Sequence, residues 1–228
     1  MRCLFFVGLA ALAGCDSEAA TDGTGAAGQG GAGGGTSLQP VVTELFPAAA
    51  PLPGETECKV VITENLPSFG ANHEPVCTPL TYPTNPPSSG DHWPIWAEFR
   101  SYTLPVPRQM YVHNLEHGAV VMAYSCGADC PEAPLAFEEA ADTFGVDPLC
   151  AAKPNGAERS RVIITPDPLL DEPIGIAAWR ATYVATCIDP PSILAFLEDH
   201  YAKGPENLCT EGKDPNDPIT GVTACDDQ

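Results

Sequence analysis

Basic residues are scarce in this chain: ten Lys and Arg stand against thirty Asp and Glu, giving a formal charge of −20 over 228 residues. A chain so short of cations offers no patch with which to neutralise phosphates, which excludes nucleic acid as a partner and argues against binding to anionic headgroups. Apolar runs of spanning length are missing too, so nothing in the sequence supplies the roughly 20 residues that a transmembrane helix needs. There is no G-x-S-x-G elbow, no Walker loop and no dinucleotide fingerprint, and with them go the signatures of the common hydrolases and nucleotide-binding enzymes. The acids around Asp167, Asp171, Glu172, Asp214, Asp217, Asp226 and Asp227 are scattered, without the repeat of a calcium loop.

What the N-terminus does carry is a three-part export signal. Arg2 precedes the apolar run Leu4 to Leu12, and Leu12-Ala13-Gly14-Cys15 follows. Small residues ahead of a cysteine expose its thiol for lipid transfer before cleavage, so residues 1–14 are expected to be a lipoprotein signal peptide and Cys15 the lipidated first residue of the mature chain. The lipid is then the expected partner of a membrane, with the protein in the cell envelope, facing the periplasm or the exterior. Residues 15–55 are dominated by Gly, Ala, Ser, Thr and later Pro, a composition with little to bury, and read as tether. About 35 residues of such chain reach roughly 30–35 Å. The ordered domain, residues 56–228, is expected to begin near Cys58.

Ten cysteines are present. Cleavage removes Cys3 and lipidation consumes Cys15, leaving Cys58, Cys77, Cys126, Cys130, Cys150, Cys187, Cys209 and Cys225. An even number in an exported chain reads as a disulfide framework. Proximity in sequence suggests Cys58 with Cys77 and Cys209 with Cys225, while Cys126 and Cys130 either close on each other or reach for Cys150 and Cys187.

The remaining pattern predicts α+β architecture. Lys59 to Ile62, Gly118 to Tyr124, Arg161 to Thr165 and Ile176 to Cys187 read as strands, and Pro134 to Phe144 as an amphipathic helix. Asp189-Pro190-Pro191-Ser192 opens a second helix through Tyr201, and the prolines from Pro79 to Pro94 demand a loop. The short link over 165–176 favours a small antiparallel sheet with helices packed on one face, stabilised by disulfides.

Chemistry concentrates in His113-Asn114-Leu115-Glu116-His117-Gly118, with His92 in the loop Pro86-Pro87-Ser88-Ser89-Gly90-Asp91-His92-Trp93. Imidazoles at i and i+4 can share an ion, so His92, His113 and His117 are candidate ligands of zinc or copper, with Glu116 as fourth ligand or as the group that orients one. Met110 and Met122 lean slightly toward copper, and both are equally suited to a core. The segment also fits H-x-x-E-H, in which Glu116 would activate a metal-bound water and an acid such as Glu198 would complete the ligands; that pattern needs a helix, whereas the β-branched run after Gly118 predicts a strand. Ser88 and Ser89 beside His92 specify no third member of a triad. Trp93, Trp96 and Trp179 suit packing, with Trp93 lining any site at His92. The alternative to a metal is a buried hydrogen-bond network in a non-catalytic interaction domain.

The P-P-x-S-G-x-H loop and the H-N-L-E-H-G segment, together with Tyr82, Ala178-Trp179 and Gly204-Pro205-Glu206, resemble the domain-of-unknown-function family numbered 3105 over about residues 75–207. The resemblance implies an envelope or membrane-tethered domain and brings no activity, so His92, His113, Glu116 and His117 carry over as motif positions. Residues 208–228, with Cys209 and Cys225, are expected to be an extension beyond that pattern.

Overall fold

Short β-branched runs build most of the strands of this protein, and the register of two of them decides one of the cysteine pairs. The computed structural model describes residues 39–126, 129–152, 160–217, 222 and 225; the expected signal peptide, Cys15 and most of the tether lie outside these. Among the described residues six strands form one sheet: β1 (Val41–Leu45), β2 (Val60–Glu64), β3 (Val120–Tyr124), β4 (Val162–Pro166), β5 (Ile174–Ala178) and β6 (Ala181–Ala185). Four helices accompany them: α1 (Arg108–Glu116), α2 (Glu132–Phe144), α3 (Pro148–Ala151) and α4 (Pro190–His200). The strand order is β1-β2-β6-β5-β3-β4. Every pairing is antiparallel except that of β3 with β4, whose connection through α2 and α3 is long enough for a crossover. The fold is α+β, as the pattern predicts, but the short link after β4 steps over β3 to reach β5 instead of joining neighbours.

Three further expectations are corrected. The 176–187 segment is two strands, because Trp179 and Arg180 turn between the paired residues Ala178 and Ala181, with Arg180 at φ 62°. Order begins well before Cys58: Val41-Val42-Thr43-Glu44-Leu45 pairs along its whole length with β2, inside the stretch read as tether. Its β-branched residues suit a strand, and the Gly/Ala bias of the preceding residues masks the change. Helices also lie on both faces of the sheet. Phe137 of α2 and Ile193, Phe196 and Leu197 of α4 pack with Val120, Met122, Ile174, Ile176 and Tyr183, whereas Met110, Tyr111, Val112 and Leu115 of α1 pack with Val121, Ile163 and Ala177 on the other side. The expected proline loop joins α1 on that second face, contributing Trp93.

The disulfides are Cys58–Cys187, Cys77–Cys225, Cys126–Cys130 and Cys150–Cys209, with Cα separations of 5.1, 5.2, 5.5 and 5.3 Å. Neither Cys58–Cys77 nor Cys209–Cys225 forms. Register explains the first: Val60 pairs with Ala185, and carrying that ladder past Lys59 and Thr186 places Cys58 opposite Cys187. This bridge spans 129 residues of sequence, a loop whose closure is worth about 4–5 kcal/mol on chain-entropy grounds.

On the second face a buried guanidinium joins distant elements. Arg161, 2% exposed, donates from Nε to Asp147 Oδ2 at 3.0 Å and from Nη1 to His117 O at 2.8 Å and Asn207 Oδ1 at 2.7 Å. Asp147 is also the N-cap of α3, accepting from Leu149 N, and takes a third bond from the Tyr201 hydroxyl at 2.7 Å. Burial works to raise the Asp147 carboxyl, but the bonds from Tyr201 and Leu149 and the charge of Arg161 outweigh it and hold it below the ordinary carboxylate range. A carboxyl so depressed contributes stability that is complete above the unfolded range and is lost as pH falls through its lower folded value. Asp147→Asn, which leaves Arg161 buried without its counter-charge, is expected to cost about 3–5 kcal/mol in urea unfolding at neutral pH. The gap from wild type should shrink as pH is taken below the ordinary carboxylate range, where the wild-type carboxylate in its turn loses its charge.

Candidate metal centre

The segment His113 to Gly118 is the end of a helix, not the start of a strand. The residues Met110 to Glu116 of α1 are all buried, so the helix is wrapped on every side and shows no one-sided apolar stripe for periodicity to detect. Its first turn is anchored by Arg108 Nε donating to Asp167 Oδ2 at 2.8 Å and the Tyr111 hydroxyl donating to the same oxygen at 3.1 Å. Its last carbonyls are met by the chain after α4: Glu206 N donates to Glu116 O at 3.0 Å and Ala202 N to Gly118 O at 2.9 Å. Gly204 fits here because a Cβ would sit 2.3 Å from Glu116 O. Gly118, at φ 83°, makes the turn into β3. Asn114 clamps the facing loop, accepting from Ala97 N at 2.9 Å and donating to Ala97 O at 2.8 Å.

His92 reaches the helix from the proline loop. The loop is tied by Ser88 N donating to Thr84 Oγ1, Phe69 N to Ser89 Oγ, and the Tyr82 hydroxyl to Asp91 O. Ser88 and Ser89 are fully buried and their hydroxyls serve this loop. Gly90, at φ 140°, leaves room for the Tyr82 ring, which a Cβ would meet at 3.0 Å. A short parallel bridge then sets His92 beside His73: Glu74 N donates to His92 O at 2.7 Å, and His92 N to Asn72 O at 2.9 Å.

Four side chains converge. Ligand-capable atoms of His73, His92, His113 and Glu116 all lie within 4.8 Å of one another, with His73 exposed and the other three buried. His92 Nε2 is 3.0 Å, and His73 Nε2 3.8 Å, from Glu116 Oε2. His113 and Glu116 share a face of α1 through their i, i+3 spacing. His92 Nδ1 lies 2.8 Å from Gly90 O and His113 Nδ1 2.7 Å from Trp93 O. Carbonyl oxygens only accept, so both rings donate from Nδ1 and turn Nε2 toward the cluster. Burial, reinforced by the neighbouring imidazoles, pushes His113 down to about 3 against the Trp93 hydrogen bond, so it is neutral at pH 7. His92 Nε2 is fully enclosed and makes no aligned hydrogen bond.

His117 stands apart from the candidate ligands. It ends α1 as the C-cap, its Nε2 lies 3.3 Å from Glu206 Oε2, and its ring meets Trp96 edge-on. Burial lowers its pKa, against the opposing pull of Glu206. His73 takes the place expected for His117. It lies in Ala71-Asn72-His73-Glu74, where no spacing marks it, and only the bridge to His92 brings it in. Glu198 is exposed on α4, which packs against the opposite face of the sheet from α1. Met110 and Met122 are buried in separate cores on those two faces. Trp96 borders the cluster, 5.0 Å from His113 between ring centroids.

Residues 73–212 match the family described as Protein of unknown function (DUF3105). The chain belongs to this family. The DUF3105 match begins at His73 itself, takes in all four converging residues and extends past the 75–207 expected, to include Cys209 but not Cys225. No curated protein and no solved structure matches the chain.

The Asn114 clamp is testable by itself. Asn114→Ala strips partners from both backbone groups of Ala97, a residue with no exposed surface, and is expected to lower stability by about 2–4 kcal/mol, read from the urea midpoint.

Proposed function

We propose that this protein binds one divalent transition-metal ion, zinc or copper(II), through His73, His92, His113 and Glu116, as an exported domain held to a membrane by lipid on Cys15. The observation that carries the metal reading is the buried meeting of His92 Nε2 and Glu116 Oε2 at 3.0 Å without an aligned hydrogen bond. A histidine nitrogen and a carboxylate enclosed this close together are stabilised by a cation, and the donors of His73 and His113 beside them fit a metal ion better than a proton. Zinc at its usual 2.0–2.1 Å would set neighbouring donors about 3.3 Å apart, a spacing that the two histidine–Glu116 separations of 3.0 and 3.8 Å bracket within a donor set gathered inside 4.8 Å. Three imidazoles and one carboxylate form a borderline set suited to either ion. Backbone carbonyls behind His92 and His113 supply the outer hydrogen bonds that orient metal-bound imidazoles.

Glu116 then acts as a ligand. The hydrolase pattern gains a helix but loses its second histidine, since His117 faces Glu206. Export is supported by the Leu12-Ala13-Gly14-Cys15 sequence and by four disulfides, which persist in oxidising compartments. Among the described residues no helix is long and apolar enough to cross a membrane.

Elemental analysis of the untagged protein, purified from its native envelope without chelator, is expected to find close to one zinc or copper per chain, and His92→Ala/His113→Ala to lose it. A folded wild type that is metal-free and takes up neither ion on titration overturns the reading and leaves an interaction domain whose histidines are architectural. Lipidation has its own check: labelled palmitate should enter the wild-type chain and not Cys15→Ser, and incorporation that survives the substitution places the anchor elsewhere.

A further inference from the structure

The four candidate ligands are held in two unlike ways. His92, His113 and Glu116 have side chains buried in the loop and helix just described, and two of them are pinned through Nδ1. The His73 side chain is 52% exposed. Its backbone is fixed, because Asn72 N and Nδ2 both donate to Asp91 Oδ1, at 2.9 and 3.0 Å, and the bridge to His92 follows. Gly70 packs so closely on Asp91 that a Cβ would fall 2.4 Å from its Oδ1. The ring itself only leans on its neighbours, stacked on His113 at 4.7 Å and edge-on to His92 at 5.1 Å. Among the described residues no group accepts a hydrogen bond from it. Rotation about its side-chain bonds is therefore enough to carry Nε2 into solvent, a motion that exposed side chains make in picoseconds to nanoseconds and that disturbs no backbone contact.

Resting on the metal reading above, we infer that His73 is the exchangeable ligand of the ion, and that a neutral imidazole from outside, free or on an acceptor protein, takes its coordination position when it swings away. The three buried donors keep the ion during the exchange, as three protein ligands do wherever a site reserves a fourth position for an exogenous group. The space that His73 vacates is flanked by the His92 and His113 rings, so it suits a flat ring. A chain of charge −20 with Glu116 already at the ion disfavours an anion in that position. The activity this describes is reversible admission of an outside imidazole to the held ion by ligand exchange, with no redox step and no bond made or broken beyond the metal–nitrogen pair.

Cobalt(II), whose visible spectrum reports coordination, is the probe for full-length wild type, His73→Ala, His73→Gln and His92→Ala, each checked for folding by near-ultraviolet circular dichroism. Both His73 variants are expected to hold one cobalt with affinity reduced on the order of 10–100-fold and faster loss to a chelator. Added imidazole should restore the wild-type spectrum in His73→Ala, and azide at the same concentration should do so far less. His92→Ala should hold no cobalt. If the His73 variants match wild type in affinity, release and response to imidazole, the inference falls while the metal site stands. If wild type takes up no cobalt, or His92→Ala binds as wild type does, the metal reading falls and takes this inference with it.

Discussion

The guanidinium of Arg161 holds together parts of the chain that share no hydrogen-bond ladder. It reaches the end of α1 through His117 O, the start of α3 through Asp147 and the segment after α4 through Asn207, while Tyr201 closes the triangle from Asp147. Burying a guanidinium is costly unless its donors are met and its charge is balanced. Here the balance comes from one carboxylate, and Nη1 meets the Asn207 side chain and a helix C-terminus, where carbonyls are unpartnered and the macrodipole favours positive charge. The end of α1 is thereby set against the strap 202–208, and Glu116 and His117 leave the helix at the angles seen. Without that anchor the donor set would have one moving wall.

Within this frame the cluster is organised by protons more than by charges. Gly90 O and Trp93 O each claim an Nδ1–H, so two imidazoles turn Nε2 toward the same small volume. Packing three buried imidazoles against Trp96 and a carboxylate, with exposed His73 beside them, has no apolar rationale, since the same volume filled by Leu or Phe would stabilise the fold without desolvating polar rings. The arrangement makes physical sense as a site for a cation. Its exposed member, His73, is borne on a loop zippered to the loop of His92, so access to the cluster and attachment of the two loops are separate matters.

Much of the fold was legible. The helices at α2 and α4 followed from spacing and from Asp189 as a cap, and β2, β3 and β4 from short β-branched runs. The motif pair His92 and His113-x-x-Glu116 was legible as chemistry because polar residues of these types crowd two short segments. Helix α1 was hidden, since burial on all sides erases amphipathic periodicity. β1 was masked by the composition before it, and the β5–β6 turn was hidden because Trp179 and Arg180 are not residues that announce a hairpin.

The amino-acid sequence by itself determined the acidic, disulfide-bearing class of the protein, most of its α+β elements, its family pattern and three of the four residues from which a metal site would be drawn. Local spacing and residue chemistry are written along the chain, which is why these could be read. Only the tertiary structure decided that Cys58 meets Cys187, that His73 and not His117 joins His92, His113 and Glu116, and that Glu116 faces a histidine. Those choices depend on the ladder between β2 and β6, on the two-residue bridge between His73 and His92, and on which way a capped helix end turns. Each is a contact between segments far apart in sequence, made or refused by packing that no local pattern encodes.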